Sequence, residues 1–235
     1  MTRSFDAIVF DAFGTLMEIQ RPLRPYATLR AALQACSADT TDLPRQAMTS
    51  PLTLAALAQR AGVPLPGEVL IPLEEAIDRE VASIAVFPDA AVAIERALAC
   101  ADRVVVASNL AQPYSKPVEH WLRRWGEVEK LSETSQARLL TAFSFDLGLL
   151  KPDAAFYADV ASRLSFVTGK PASALRLAMV GDKNAEDCDG PRAAGWQAHR
   201  LNRSAGQVLL DAPWWPRPHA CFSRPPRLKP VNSPI

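Results

Sequence analysis

Short apolar runs alternate with longer stretches of helical spacing along most of the chain. Ala7-Ile8-Val9-Phe10 is too short for a helix and stops at Asp11 with Gly14 close behind, which predicts a buried strand ending in a tight turn. Arg103-Val104-Val105-Val106-Ala107 predicts a β-branched strand, and residues 141–145, 177–180 and 197–201 predict three more. Helical patterns fall between them, over 89–99, over 113–125, through Phe156, Val160 and Leu164, and over 190–195. Trp121 and Trp125 share the face of Val118 and Leu122, so they read as packing residues rather than a ligand cage. This alternation predicts an α/β domain with a doubly wound (Rossmann-like) parallel sheet.

From 17 to 87 the period changes and no strand signal remains. Leu29, Leu33 and Cys36 share one helical face; Ser50-Pro51 opens a run with Leu54, Leu57, Ala58 and Ala61 inward and Gly62 ending it. Leu73, Ile77, Val81 and Ile84 repeat the spacing. The expected organisation is therefore a core from 1–16 and 88–210, an all-helical insertion over 17–87, and a tail over 211–235. The tail is proline-rich and basic, with Trp214 and Trp215 placed to pin it onto the core. Arg224-Pro225-Pro226-Arg227-Leu228-Lys229-Pro230 resembles a ligand for a proline-recognising groove of a protein partner; a basic tail with no dedicated partner is the plainer reading.

Composition narrows the classes. The 235 residues are 49% hydrophobic, enough for a large core. Lys and Arg number 26 against 25 Asp and Glu, a net charge of +1, which argues against a field tuned for nucleic acid or an anionic membrane. Residues 1–5 are polar with no apolar stretch behind them, and no run approaches the roughly 20 apolar residues of a membrane helix, so a cytoplasmic protein is expected. Cys36, Cys100, Cys188 and Cys221 lie far apart, which fits reduced thiols; Cys188 reads as a small buried hydrophobe.

Candidate chemistry gathers where predicted strands end. Asp11 stands at the carboxyl edge of the first strand, where open α/β sheets bind ligands; as an isolated residue it reads equally as a turn cap. Ser108 and Asn109 follow the second strand, and their hydroxyl and amide can hydrogen-bond a phosphate or carboxylate, although Ser-Asn after a strand is also a common turn. Arg21, Arg24 and Arg30 can clamp an anion or remain solvated charges. His199 reads as an edge-strand residue.

In their order and spacing, these stretches resemble the motifs of the haloacid dehalogenase-like hydrolase superfamily over roughly residues 6–203. Asp11-Ala12-Phe13-Gly14-Thr15-Leu16 resembles the first motif, Ser108-Asn109 the second and Lys151-Pro152 the third. Met179-Val180-Gly181-Asp182-Lys183-Asn184-Ala185-Glu186-Asp187 resembles the fourth motif of its magnesium-dependent phosphatases. The resemblance implies that Asp11 is the covalent nucleophile, that Lys151 contacts it and the transferring group, and that Gly14, Thr15, Ser108 and Asn109 help bind that group. It also implies Mg²⁺ held by Asp11, Asp182 and the carbonyl of Phe13, with Asp187 in the first or second sphere and Glu186 in reserve. Residues 17–87 take the place of the helical cap.

One residue departs from the phosphatase pattern. Phe13 stands where those enzymes carry a second Asp, the acid and base; the dehalogenase branch carries an aromatic residue there. Halide departure needs no proton, yet attack on carbon has no use for the metal pair retained at Gly181-Asp182. The expected function is accordingly a Mg²⁺-dependent phosphohydrolase acting through an aspartyl-phosphate on a small phosphorylated metabolite. A 2-haloacid dehalogenase and a catalytically impaired ligand- or protein-binding module are the alternatives. Lys183 beside the acidic cluster either faces solvent or weakens the metal.

Overall fold

The computed structural model describes residues 4–133, 137–213 and 215. A six-stranded, wholly parallel sheet forms its centre. The strands are β1 (Phe5–Phe10), β4 (Ala101–Ser108), β5 (Val128–Lys130), β6 (Leu139–Phe143), β7 (Leu177–Gly181) and β8 (Gln197–Arg200), in the order β5-β6-β4-β1-β7-β8. Every residue of β1 is buried. A parallel strand covered by helices on both faces must be apolar throughout rather than alternating, which is why Phe5 to Phe10 reads as a nearly continuous run.

Alternate β1 residues feed two cores. Ile8 and Phe10 pack with Val104, Val106 and Val180 under α5 (Ala90–Cys100) and α6 (Ser115–Leu122). Ala7 and Val9 pack with Val105 and Met179 under α8 (Ala154–Thr168), through Phe156, Val160 and Leu164. Because β1 lies between β4 and β7, the carboxyl ends of all three strands open at one place.

The insertion leaves and re-enters through a two-stranded antiparallel ribbon, β2 (Met17–Ile19) against β3 (Ile84–Val86), and Phe87 N–H donates to Leu16 O at 3.0 Å just outside it. Between the strands lie four helices, α1 (Pro25–Ala35), α2 (Leu43–Thr49), α3 (Leu54–Arg60) and α4 (Gly67–Ala82). They close around their own core of Leu29, Leu33, Leu57, Leu73 and Ile77.

The structure differs from the sequence reading at several element ends. Ile84 sits in β3 rather than on a helical face, so 17–87 is helical only between short strands. Cys36 follows α1 as an exposed residue rather than facing inward. The third helix begins after Thr53, whose Oγ1 caps it by accepting from Ala56 N–H at 3.1 Å, rather than at Pro51. The strand expected at 141–145 is displaced two residues, because Ser144 opens α7 (Ser144–Leu147), which Gly148 ends in a left-handed conformation.

Cys188 is buried, as a small hydrophobe would be, and His199 lies in the edge strand β8. Trp121 and Trp125 pack edge-on with ring centroids 4.8 Å apart. Trp215 stacks on Phe10 at 6.5 Å and donates its indole N–H to Leu209 O at 2.7 Å. Trp214, Cys221 and the proline-rich segment 224–230 lie outside the described residues. No helix among the described residues is long and apolar enough to cross a membrane.

Candidate active site

Asp11 follows β1 directly, and its N–H donates to Val180 O at 2.9 Å, so the end of β7 fixes where the residue stands. The chain then turns through Gly14, whose φ of +87° belongs to the left-handed region open to glycine. A Cβ at Gly14 would come 2.5 Å from Asp182 Oδ2, so only a residue without a side chain lets the first loop approach the fourth this closely.

Lys151 reaches the same point from the loop after β6 and α7. Its Nζ donates to Asp11 Oδ1 at 2.8 Å and to Asp187 Oδ1 at 2.7 Å, and its side chain is fully buried. Burial pulls its pKa down, but the charges of Asp11 and then Asp187 outweigh it, and the net shift is well upward. Asn109 sets the lysine's backbone: its Oδ1 accepts from Lys151 N–H at 2.9 Å and its Nδ2 donates to Lys151 O at 2.7 Å. The amide also donates to Glu186 Oε2 at 3.2 Å. Its donors and acceptor are thus engaged within the protein, and Asn109 serves as a brace for Lys151 as the chain stands.

Asp187 lies in a single π-helical turn, Asn184–Asp189, and is completely buried. Both of its oxygens are engaged: Oδ1 by Lys151, and Oδ2 by Lys183 N–H at 2.9 Å. Lys183 itself points outward, 3.3 Å from Glu186, with 56% of its side chain exposed, so its ammonium stays away from the cluster.

Asp11, Asp182 and Asp187 each offer an oxygen within 4.8 Å of the others. Asp182 differs from its neighbours because its buried Oδ1 has no hydrogen-bond partner. An unpartnered buried carboxylate oxygen is costly, and here the charge of Asp11 adds to burial in raising the Asp182 pKa. One ammonium faces three carboxyl groups. A hard divalent cation such as Mg²⁺, which takes one or two carboxylates and keeps its waters, suits that surplus, with Asp182 and the Asp11 oxygen that Lys151 does not engage as candidate donors, since both Asp187 oxygens are already engaged.

Thr15 is buried, its Oγ1 without a partner and its carbonyl accepting from Arg203 Nη2 at 2.5 Å. Ser108 is buried at the end of β4. Phe13 is half-buried and turns its ring edge-on to Tyr114 at 6.2 Å. Both rings line an apolar chamber of about 420 Å³ between the core and α1 and α2, with Asn109 at its inner wall. Arg30 borders the chamber; Arg21 lines a separate cavity beside Ser83, and Arg24 is exposed.

The sequence missed Glu80. This buried residue of α4 accepts from Leu23 N–H at 2.5 Å, from Arg24 N–H at 2.7 Å and from the Tyr114 hydroxyl. Burial, and then the Glu80 charge, pushes the Tyr26 pKa up to about 12 and that of Tyr114 further in the same direction. No local pattern marks Glu80, since its partners stand more than thirty residues away on either side.

No family model matches the chain, and no curated protein matches it in sequence. Solved structures do match its fold. A haloacid dehalogenase-like (HAD) family enzyme from Bacteroides thetaiotaomicron, solved with magnesium and inorganic phosphate, is 11% identical over 85% of this chain and 95% of its own, with a TM-score of 0.51. A 2-haloacid dehalogenase from Pseudomonas syringae pv. tomato is 18% identical over 90% and 92%, TM-score 0.51. A HAD phosphatase from Thermococcus onnurineus is 15% identical over 86% and 88%, TM-score 0.50. The chain therefore has the haloacid dehalogenase-like hydrolase fold, which the phosphatase and dehalogenase branches share.

Proposed function

We propose that the protein is a Mg²⁺-dependent phosphohydrolase of the haloacid dehalogenase-like type, in which Asp11 forms an aspartyl-phosphate with a small phosphorylated metabolite. The observation that carries this reading is the buried, unpartnered Asp182 Oδ1 beside Asp11, which has an evident use with a cation and none in halide displacement. The ion would be held by Asp11, Asp182 and the main-chain carbonyl of Phe13, and when bound would offset charge on the transferring phosphoryl oxygens. Lys151 keeps Asp11 ionised and presents a cation to the same oxygens. Asp187 orients Lys151, and Asn109 fixes its backbone. Ser108, Thr15 and the Gly14 turn border the phosphoryl position. Residues 17–87 act as the cap, excluding water from the pocket, over a core of 1–16 and 88–210.

Phe13 cannot donate or accept a proton. Loss of such a group costs ~10² to 10⁴-fold, so turnover is restricted to leaving groups that depart unprotonated. The same aromatic residue favours the second reading, a 2-haloacid dehalogenase, which needs neither proton nor metal. A phosphate-ester panel with and without Mg²⁺ separates the two. The phosphohydrolase reading expects hydrolysis that EDTA abolishes and that Asp11→Asn reduces at least ~10³-fold. EDTA-insensitive halide release from a 2-haloacid would replace it with the dehalogenase.

A further inference from the structure

The cavity that reaches the nucleophile loop has walls unlike those expected for a sugar or polyol. Phe13, Tyr26 and Tyr114 form a continuous aromatic surface. Phe13 meets Tyr114 edge-on at 6.2 Å and an interplanar angle of 86°, and Tyr26 meets Tyr114 at 6.4 Å and 48°. Leu43, Ala47 and Met48 from α2 close the opposite side. The Tyr114 hydroxyl is held away in a buried hydrogen bond to Glu80 on α4, so this ring lines the chamber with its polar end engaged elsewhere, and the Glu80 charge reaches Tyr26 as well. A polyol entering this space would lose its hydration with few groups to replace it. An arene would gain edge-to-face contacts.

A second observation, independent of the walls, concerns the leaving group. Phe13 supplies no acid, so the departing oxygen must carry its own negative charge. A phenolate does so readily, since a phenol has a pKa near that of tyrosine, about 10. An alkoxide does not.

Resting on the phosphohydrolase reading, we propose that the substrate is a monoaryl phosphate, with its ring in the chamber walled by Phe13, Tyr26 and Tyr114. An Asp11 carboxylate oxygen bonds to phosphorus while the phosphorus–aryl oxygen bond breaks, and the electron pair leaves on the phenolate, which takes a proton from solvent. Water then attacks the aspartyl-phosphate, breaking its phosphorus–carboxylate bond. The carboxylate returns, and the phosphate leaves with the water's oxygen, one water proton staying on it and the other passing to solvent. A chamber of about 420 Å³ lies within the range for small-molecule sites and holds a single substituted ring.

The test compares phenyl phosphate, glycerol 3-phosphate and acetyl phosphate, all with Mg²⁺. Acetyl phosphate has a good leaving group and almost no body, so it reports the chemistry without the chamber. The expected result is a kcat/KM for phenyl phosphate at least ~10-fold above that for glycerol 3-phosphate. Ala27→Trp at the exposed mouth, or Met48→Trp in the wall, should lower phenyl phosphate at least ~10-fold while acetyl phosphate stays within about twofold. Equal effects on both substrates, or no preference for the aryl ester in the wild type, overturn the proposal.

Calorimetry with phenylphosphonate and methylphosphonate keeps the inference separate from the reading beneath it. If no phosphate ester turns over, tighter binding of phenylphosphonate by ~10-fold that Ala27→Trp removes still supports the aryl site, and the phosphohydrolase reading alone falls. Phenylphosphonate that binds no tighter than methylphosphonate, or does not bind, overturns the aryl site whatever the activity.

Discussion

Lys151 is the residue on which the buried charges balance. It has no exposed side-chain surface and two carboxylate partners, so removing the lysine leaves both carboxylates without their counter-charge, and breaking a buried pair from one side typically costs ~3–5 kcal/mol. Lys151→Met should therefore lower unfolding free energy by about that amount, read by urea denaturation. Asp187→Ala, which leaves Lys151 paired with Asp11, should cost less, and less still when added to Lys151→Met, because the two residues share one interaction. Smaller losses with simple additivity would mean that water reaches the pair. At this scale the sequence was informative through the family resemblance of its strand-end stretches: Asp11, Lys151, Asp182 and Asp187 lie together, as that resemblance implied. Asn109 was legible as a polar residue of the site but not as a brace, since that depends on the main chain of a residue 42 positions away.

Among the elements, the long central strands were legible as continuous apolar runs and the helices as periodic faces, whereas β2, β3 and β5 have three residues each and too little length for either signal to declare itself. The entry into β1 shows how an element end is fixed by charge instead. Asp6 is buried beside the amino-terminal edge of the sheet, where its Oδ2 accepts from Arg176 N–H at 2.7 Å and its Oδ1 takes the Lys170 ammonium. Burial raises its pKa, but these donors together outweigh it and the net shift is downward.

A carboxyl group whose folded pKa lies below its unfolded value of about 3.9 stabilises the fold above that value and stops doing so as the pH falls through the folded pKa. Asp6→Asn should accordingly cost ~1–2 kcal/mol at pH 7, the lower part of the range for charged hydrogen bonds because both cationic partners are half exposed. That cost should shrink below pH 4. Denaturation curves of both proteins at pH 7 and pH 3 measure it, and an undiminished difference at pH 3 would count against the assignment.

For the molecule as a whole, the contact between helical insertion and core rests on Glu80 more than on surface charge. Arg45 and Asp153 also link the two parts, at 2.9 Å, but both are largely exposed, and such pairs contribute ~0–1 kcal/mol. Glu80→Ala would leave the N–H groups of Leu23 and Arg24 and the Tyr114 hydroxyl without their acceptor, at ~1–3 kcal/mol for each that stays buried. The expected outcome is proteolysis within residues 20–83 accelerated at least ~10-fold, with Arg45→Ala cleaved at the wild-type rate. Equal protection in both variants would show that apolar packing alone seats the insertion.

The ribbon through which the insertion passes has a consequence for how such a chain can change over generations. Ile19 and Ile84 face each other as register partners, so the sheet is joined at that place to nothing more than a pair of neighbouring strand ends. Closing a loop costs only ~0.6 kcal/mol more for each doubling of its length. Whatever is threaded between those two residues can grow, shrink or be exchanged wholesale while Asp11 keeps its station. A lineage holding this scaffold is thereby free to refit the helical half without rebuilding the half that carries Asp11.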